Sequence, residues 1–210
     1  NPLWLRNNSI SPDGKEIAFT YKGNIYIADT DGGQARQLTS NPAYDSNPIW
    51  APDGQNIVFC STRQNSKDIF MVPVKGGVPT RITSHPNNET PVAVLEDGTI
   101  LFSAAIEQDA EYGDFPGNAQ LYSVPATGGR PTRVTSLPIK SLSVNKDGKV
   151  IYEDYKGYED AFRKHHTSSV TRDIWLYTPA AGEKGFSIND KGAFTKISDF
   201  KGEDRNPVFG

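Results

Sequence analysis

The sequence has little cysteine, little excess charge of either sign and no long apolar run. Its one cysteine, Cys60, excludes an internal disulfide framework. The apolar runs fall far short of the roughly 20 residues that a membrane-spanning helix needs, so no membrane insertion is expected. The 22 basic residues are outnumbered by 25 acidic ones, and the net charge of −3 argues against a nucleic-acid partner, because such a binding surface would be basic.

Turn-forming residues are abundant instead. The 210 residues include 19 glycines and 15 prolines, a larger share than the roughly 12% of an average globular protein. This excess favours many turns and therefore many short strands. Apolar residues make up 36% of the chain, which is enough to bury a core.

An internal repeat runs through the chain. Asp-Gly recurs with its aspartates at 13, 53, 97 and 147, which gives spacings of 40, 44 and 50 residues. A short apolar run follows each Asp-Gly, and an aliphatic–aromatic pair comes later. In the first three repeats a Gly-Gly and then an aliphatic–Thr pair complete the pattern, whereas the fourth repeat has Ala181-Gly182 and Ile197-Ser198. Agreement at this many offsets predicts one structural unit per repeat.

Each repeat predicts four short strands, here called a to d. Strand a precedes Asp-Gly, strand b is the apolar run after it, strand c holds the aliphatic–aromatic pair, and strand d ends in the aliphatic–Thr pair. In the a–b turn, Pro presets φ and Gly takes the left-handed position. Consecutive apolar residues, clearest at 69–72, predict that both faces of the sheet are covered. Four-stranded repeats of this length are typical of propeller blades.

The sequence therefore predicts an all-β fold, a β-propeller or partial propeller with four four-stranded antiparallel blades in a single domain, 1–210. The blades are expected at about 3–40, 44–84, 91–136 and 139–198, with 203–210 as the first strand of a fifth, because it repeats the strand-a pattern. Such propellers usually have more blades than four, so we expect a truncated ring whose open apolar faces drive self-association. A closed four-bladed ring is the alternative.

Two stretches carry a family resemblance: "ISPDGKEIAFTYKGNIYIADTDGGQARQLTS" and "IWAPDGQNIVFCSTRQNSKDIFMVPVKGGVPTRITS". They are similar to the WD-repeat-like blades of tricorn-type peptidases and of TolB. Residues 2–6 and 163–175 more narrowly resemble the amino-terminal propeller of bacterial tricorn-like serine peptidases.

The resemblance implies a non-catalytic domain that gates or filters peptide substrates, or scaffolds the protease core, of a parent serine peptidase. Its partners would be a peptide or protein and the downstream protease domains. The alternatives are a TolB-like interaction propeller that binds an envelope partner, and a propeller enzyme completed by further blades. A periplasmic or otherwise exported location suits the missing initiator methionine, and a cytoplasmic one stays open.

The connection between strands b and c lengthens along the chain, whereas the a–b and c–d turns, on the opposite face from the b–c and d–a loops, are expected to be tight. Insertions confined to one face often mark a binding face, although neutral loop drift would produce the same pattern. The candidate binding residues combine aromatic rings with bases that could hold a peptide carboxylate. They are Tyr112, Phe115, Arg163, Lys164, His165, His166 and Arg172.

No catalytic or cofactor motif accompanies them. The chain has no Gly-x-Ser-x-Gly, HExxH, Cys-x-x-Cys, Walker or Rossmann pattern. The adjacent His165 and His166 lack a third ligand nearby, so no metal is expected. His85 lies in a loop without a triad pattern, and Cys60 in strand b is expected to be buried and inert. We therefore expect no cofactor and no catalysis by this chain alone.

Overall fold

The structure is a computed structural model that describes residues 5–106, 119–156, 171–183, 186–200 and 202–209. Strands make up the regular secondary structure of these residues. Among them, no helix is long and apolar enough to cross a membrane.

Four four-stranded antiparallel sheets follow one another along the chain, each with its strands in chain order. Sheet 1 contains β1 (Arg6–Ile10), β2 (Glu16–Tyr21), β3 (Asn24–Asp29) and β4 (Arg36–Gln37). Sheet 2 contains β5 (Asp45–Trp50), β6 (Asn56–Gln64), β7 (Ser66–Pro73) and β8 (Thr80–Arg81). Sheet 3 contains β9 (Glu89–Val94), β10 (Thr99–Ala104), β11 (Gln120–Pro125) and β12 (Thr132–Thr135). Sheet 4 contains β13 (Ile139–Val144), β14 (Val150–Asp154), β15 (Ile174–Thr178) and β16 (Ala193–Lys196). The predicted all-β class and four-stranded blades are confirmed.

The four Asp-Gly turns close the first hairpin of each sheet in the same way. The glycine N–H donates to the carbonyl three residues earlier, at 2.9 Å from Gly14 to Ser11 and from Gly54 to Ala51. The four glycines have φ between 66° and 81°, a left-handed conformation in which a side chain is strained. The most regular motif of the sequence is thus explained by turn geometry.

The aliphatic–Thr pair fastens the outer edge of a sheet to strand c. In sheet 1, the Leu38 N–H donates to the Ile25 carbonyl at 2.8 Å, and the Thr39 hydroxyl accepts the Ile25 N–H at 3.0 Å. The same two bonds recur in sheets 2 and 4. In sheet 2, Ile82 N–H donates to the Ile69 carbonyl and the Thr83 hydroxyl accepts the Ile69 N–H. In sheet 4, Ile197 N–H donates to the Ile174 carbonyl and the Ser198 hydroxyl accepts the Ile174 N–H. Strands β4 and β8 end just before this pair. The threonine hydroxyl therefore accepts a strand-c N–H that backbone pairing with strand d no longer reaches.

The chain divides into two compact units, Asn1–Gln108 with Tyr122–Thr132, and Asp109–Leu121 with Arg133–Gly210. The first unit has two apolar cores. One lies between sheets 1 and 2 and includes Phe59 and Phe70, and the other lies between sheets 2 and 3 and includes Val58 and Ile69. Both faces of sheet 2 are therefore covered, as its consecutive apolar residues predicted.

Residues 202–209 form no strand within the described structure, yet they repeat the contacts of a strand a. In the first unit, the Asp45 N–H donates to the Gly23 carbonyl at 2.9 Å, and the Trp50 N–H lies 3.5 Å from the Ser9 hydroxyl. In the second unit, the corresponding bonds run from Asp204 to Arg172 at 3.1 Å and from Phe209 to Ser143 at 3.4 Å. Asn47 and Asn206 share a φ of 54°. The segment contacts sheet 4 as β5 contacts sheet 1.

One connection departs from the predicted tight turns. Strands c and d are joined by six residues in sheets 1 to 3 (30–35, 74–79 and 126–131), but by 179–192 in sheet 4. The expectation that all large insertions leave one face is therefore wrong. The long connection is anchored, because Ile188 is buried and the Tyr177 hydroxyl donates to Asn189 Oδ1 at 3.3 Å.

Candidate functional site

The candidate site is the end of each sheet where strand b connects to strand c, here called the b–c end. The connection is short in sheets 1 and 2 and spans 105–119 and 155–173 in sheets 3 and 4. All buried carboxylates of the described residues lie at this end. They are Asp45, Asp68, Glu89, Glu153, Asp154 and Asp173. A buried carboxylate is costly unless it is paired, so its partners decide what each one does.

In sheet 2, two of these acids are paired with arginines. Asp45 Oδ2 lies 2.7 Å from Arg63 Nη2, and the Arg63 guanidinium packs over the rings of Phe59 and Phe70 at 5.6 and 5.4 Å. Asp68 Oδ2 lies 2.8 Å from Arg81 Nη2. Both ion pairs join residues of sheet 2 to one another at its b–c end, so their role is structural.

Glu89, at the start of sheet 3, has a weaker partner. Its Oε2 accepts a hydrogen bond from the Thr83 hydroxyl, and its Oε1 has no hydrogen-bond partner among the described residues. Burial raises the pKa of Glu89 to about 7, because the Thr83 bond that lowers it is too weak to compensate and the nearby Asp68 raises it further. This carboxyl therefore titrates near neutral pH.

Glu153 in sheet 4 is fully paired instead. Its carboxylate accepts hydrogen bonds from Arg172 Nη1 at 2.5 Å, the Ser141 hydroxyl at 2.9 Å and the Asn206 N–H at 3.0 Å. Burial alone would raise the pKa of Glu153, but these three hydrogen bonds outweigh it and hold the pKa below its ordinary value. Glu153 thus joins the fourth b–c connection to the segment that follows sheet 4.

Beside it, Asp154 and Asp173 share Lys156, and Asp173 also pairs with Lys196. Lys156 Nζ pairs with Asp173 and lies 3.3 Å from Asp154, while Lys196 Nζ lies 2.9 Å from Asp173. The Trp175 indole N–H donates to Asp154 Oδ2 at 3.1 Å. Burial opposes ionisation of Asp173, but hydrogen bonds from both lysines outweigh it, so its pKa is lowered. Both ends of the fourth connection therefore rest on one network of ion pairs.

Of the seven predicted binding residues, the structure describes only Arg172. Arg172 ion-pairs with Glu153, and its guanidinium stacks on the Tyr155 ring at 5.5 Å. A ligand role for Arg172 stays a prediction, and the arginine already holds a buried carboxylate. The other six, Tyr112, Phe115, Arg163, Lys164, His165 and His166, lie outside the described residues.

A groove of about 510 Å³ opens in the first unit, between sheets 2 and 3. Its lining consists of Ser84, His85, Pro86, Ile106, Tyr122, Gly129, Arg130 and Pro131. The His85 Nδ1 accepts the Asn87 N–H at 3.1 Å, and the Tyr122 hydroxyl donates to the Ile106 carbonyl at 2.6 Å. Among the described residues, the lining combines Arg130 and an imidazole with apolar surface and includes no carboxylate, so this part of the groove suits an anionic group such as a peptide carboxylate.

Sequence reasoning missed both the groove and the ion-pair network. The ion-pair network could have been found by aligning the repeats. Glu153 and Asp154 stand at the positions of Cys60 and Ser61 in sheet 2, where neither residue is charged. The groove has no such signal, because His85, Ile106 and Arg130 come from three different connections.

The described residues offer no metal-binding cluster of three or more His, Cys, Asp or Glu side chains. Cys60 is buried, lies 3.3 Å from the Ser46 hydroxyl and has its pKa raised by burial, so this thiol is poorly suited to act as a nucleophile.

Four consecutive four-stranded antiparallel sheets, with apolar cores between sheets 1 and 2 and between sheets 2 and 3, are the architecture of β-propeller blades. This chain belongs to the family of the Tricorn protease N-terminal beta propeller domain, whose model matches residues 2–210. The resemblance found in the sequence is thereby confirmed.

Peptidases are among its relatives. Tricorn protease homolog 1 of Streptomyces coelicolor is 24% identical over 173 residues, which is 82% of this chain and 16% of that protein. The uncharacterized peptidase YuxL of Bacillus subtilis is 27% identical over 150 residues, 51% of this chain and 22% of that protein. The chain thus spans less than a quarter of either relative.

Two solved structures share the fold. The tricorn protease superposes with a TM-score of 0.70 at 21% identity, covering 97% of this chain and 19% of that one. A putative TolB from Agrobacterium tumefaciens gives 0.65 at 24% identity, covering 91% of this chain and 64% of that one.

Proposed function

We propose that this chain is the non-catalytic propeller domain of a tricorn-like serine peptidase, and that it gates the access of peptide substrates to protease domains elsewhere in the parent protein. Family membership and the peptidase relatives support this proposal. The peptide binds at the b–c end and along the groove that reaches from there to the c–d connection of sheet 3, and the buried ion pairs keep the b–c connections in place.

The observation that carries the binding role is the groove at His85. It offers Arg130 and His85 to an anion, and Ile106 and Tyr122 to an apolar side chain, and its described lining contains no competing carboxylate. Because the whole chain has a net charge of −3, this basic lining is a local feature. A peptide carboxyl terminus has the matching chemistry. Tyr112 and Phe115, in the third b–c insertion, stay predicted binding residues.

Fluorescence anisotropy with matched labelled peptides tests the proposal. One peptide of each pair has a free carboxyl terminus, and the other is amidated. We expect the free acid to bind at least about 10-fold more tightly, because the groove offers a charge-assisted bond that the amide cannot make. Arg130→Ala should remove this preference, whereas Lys75→Ala, which removes the same charge from the c–d turn of sheet 2, should retain it.

A second variant addresses the predicted residues directly. Replacing 163–166 by alanines should weaken binding if the fourth insertion contributes. Peptides that bind neither wild type nor variants would contradict the proposal. Capture of a folded envelope protein in that case would favour the TolB-like alternative and a periplasmic location. Peptide hydrolysis by the isolated chain would contradict the non-catalytic assignment.

A further inference from the structure

The loop 84–88, which carries His85 into the groove, is closed at its base by one buried hydrogen bond. Thr83, just before the loop, donates its hydroxyl proton to Oε2 of Glu89, just after it, and the two residues are 3% and 0% exposed. The same hydroxyl accepts the Ile69 N–H at 2.9 Å, so its one proton is used in the bond to Glu89. The hydrogen bond between Thr83 and Glu89 is here called the loop neck.

The position of the His85 ring depends on this loop. The Ser66 hydroxyl donates to the His85 carbonyl at 3.2 Å, and the Asn87 side-chain amide donates to the Ala105 carbonyl at 2.5 Å. The Asn87 N–H donates to His85 Nδ1 at 3.1 Å, which leaves Nε2 to carry the proton of the neutral ring. A change of loop conformation therefore changes what the groove presents to an anion.

An acid stands at the same place before sheet 2, but there it has a permanent counter-ion. Asp45 begins β5 six residues after Thr39, as Glu89 begins β9 six residues after Thr83. Asp45 is paired with Arg63 at 2.7 Å. The repeat thus supplies a guanidinium to the first of these acids.

Sheet 3 has an apolar residue in place of that guanidinium. Arg63 stands two residues beyond the strand-b partner of Asp45. The same step from the strand-b partner of Glu89 reaches Ile106, which lines the groove. In keeping with this substitution, Oε1 of Glu89 has no hydrogen-bond partner among the described residues.

The charges around Glu89 do not replace the missing counter-ion. Burial is the main cause that raises the pKa of Glu89 to about 7, and Asp68 adds to it, while Thr83 and Arg81 lower the pKa. Arg81 is itself paired with Asp68 at 2.8 Å. The other titratable or charged side chains on the described strands and loop packed against Glu89 are Asp45, Cys60, Arg63, Lys67 and His85.

We infer that Glu89 is a switch for the groove: its protonated form keeps the loop neck closed and presents His85 to an anionic ligand, and its ionised form opens the neck and weakens binding. An ionised Glu89 is a fully buried carboxylate with one unpartnered oxygen, which is costly, and water reaches it only if the loop moves. Its charge also repels a ligand carboxylate. The inference rests on the proposed function, because it concerns the regulation of the same groove.

Fluorescence anisotropy between pH 6 and 8 tests the switch. The peptide is N-acetylated, contains no histidine, has a free carboxyl terminus and carries a label that does not respond to pH. Wild type should bind up to about 10-fold more weakly at pH 8 than at pH 6, since a pKa of about 7 leaves only about a tenth of the acid protonated at pH 8. Glu89→Gln should bind at both pH values as wild type does at pH 6.

Two controls separate Glu89 from other charges. Glu96→Gln removes the same charge from the a–b turn of sheet 3, where Glu96 is exposed, and should keep the wild-type profile. His85→Gln removes the imidazole, which also titrates, and should bind more weakly but retain the decrease with pH. A decrease that persists in Glu89→Gln, or one that His85→Gln abolishes, would overturn the inference.

Amide NMR of residues 84–88 without peptide separates this inference from the proposed function. The resonances should shift with a midpoint near pH 7 in wild type and should not do so in Glu89→Gln. Ile106→Arg restores the counter-ion present in sheet 2 and should lower the midpoint below about pH 6. If no peptide binds at any pH while the loop titrates in this way, the proposed function is wrong and the switch remains. A loop without an inflection near pH 7 would overturn the inference, whatever the peptide does.

Discussion

Sheets 2 and 4 are built on the same repeat but treat the same position differently. In sheet 2, Cys60 lies opposite Ile69, and its thiol is buried without a charged partner. In sheet 4, Glu153 lies opposite Ile174 in the same register, and it is as deeply buried. The backbone of the repeat thus permits either an apolar or an ionic b–c end.

What differs is the supply of partners. Glu153 receives one hydrogen bond each from the neighbouring strand, the b–c connection and the segment after sheet 4, through Ser141, Arg172 and Asn206. In sheet 2 the Ser46 hydroxyl stands where Ser141 stands in sheet 4 and lies 3.3 Å from Cys60 Sγ, but the described residues of sheet 2 give Cys60 no counterpart of the Arg172 ion pair. A charge in this position therefore makes the stability of sheet 4 depend on chain elements outside the sheet itself.

The largest expected effect comes from removing the acid of this network. Glu153→Ala leaves the Arg172 guanidinium, which is largely buried, without its main partner, and loss of one member of a buried ion pair costs about 3–5 kcal/mol. Urea denaturation should show this decrease in the free energy of unfolding. Lys15→Ala breaks an exposed pair with Asp13 and should change it by less than about 0.5 kcal/mol. Equal effects of the two variants would show that burial of the pair does not matter.

Glu89 and Glu153 are expected to make the stability of the protein depend on pH in opposite directions. The pKa of Glu89 is raised to about 7 in the folded protein from an ordinary value of 4.5, so folding favours the protonated acid. Stability from this group is complete below pH 4.5 and is lost as the pH rises toward 7, by up to about 3 kcal/mol, because each pKa unit is worth about 1.4 kcal/mol. Unfolding measured from pH 4 to 8 should show this loss, and Glu89→Gln should remove it.

Glu153 provides the opposite slope. Its lowered pKa means that its stabilising effect is present above the ordinary value and is lost as the pH falls through the depressed one. Glu153→Gln should therefore reduce stability at neutral pH and flatten the acid limb. A Glu89→Gln variant with the same neutral-pH decline as wild type would assign that decline to another group.

The sequence predicts the fold well because the turn motifs that separate the strands are local. An Asp-Gly turn needs only the four residues that form it, and Gly14 and Gly54 adopt the predicted left-handed conformation. The candidate site is harder to predict because its partners are distant in the chain. Asn206 reaches Glu153 across 53 positions, and no local pattern announces that contact. The long connection of sheet 4 was also missed, since a degenerate repeat gives no sign of where strand d begins.

The packing of the c–d connection of sheet 4, residues 179–192, can be tested by a steric substitution. Gly192 lies against the Tyr177 ring, and a Cβ there would collide with ring atoms. Its φ is not in the left-handed region, so the effect of Gly192→Ala is steric, and overpacking of this kind costs about 1–3 kcal/mol. Thermal unfolding should show the loss. Ala181→Ser, exposed in the same connection, should have almost no effect, and a similar tolerance at 192 would mean that the connection shifts freely.

The edge hydroxyl, which accepts a strand-c N–H in sheets 1, 2 and 4, gives the smallest effect, and sheets 1 and 2 can be compared through it. Thr39→Val leaves the Ile25 N–H without its acceptor and should cost about 1 kcal/mol by urea denaturation. Thr83 makes the equivalent bond to Ile69 and also donates to Glu89, a bond that lowers the pKa of that acid. Thr83→Val should therefore cost more at neutral pH and should extend the pH-dependent loss to higher pH, whereas Thr39→Val should leave the pH profile unchanged. If both valine variants shifted the profile equally, the coupling between the Thr83 hydroxyl and Glu89 would be disproved.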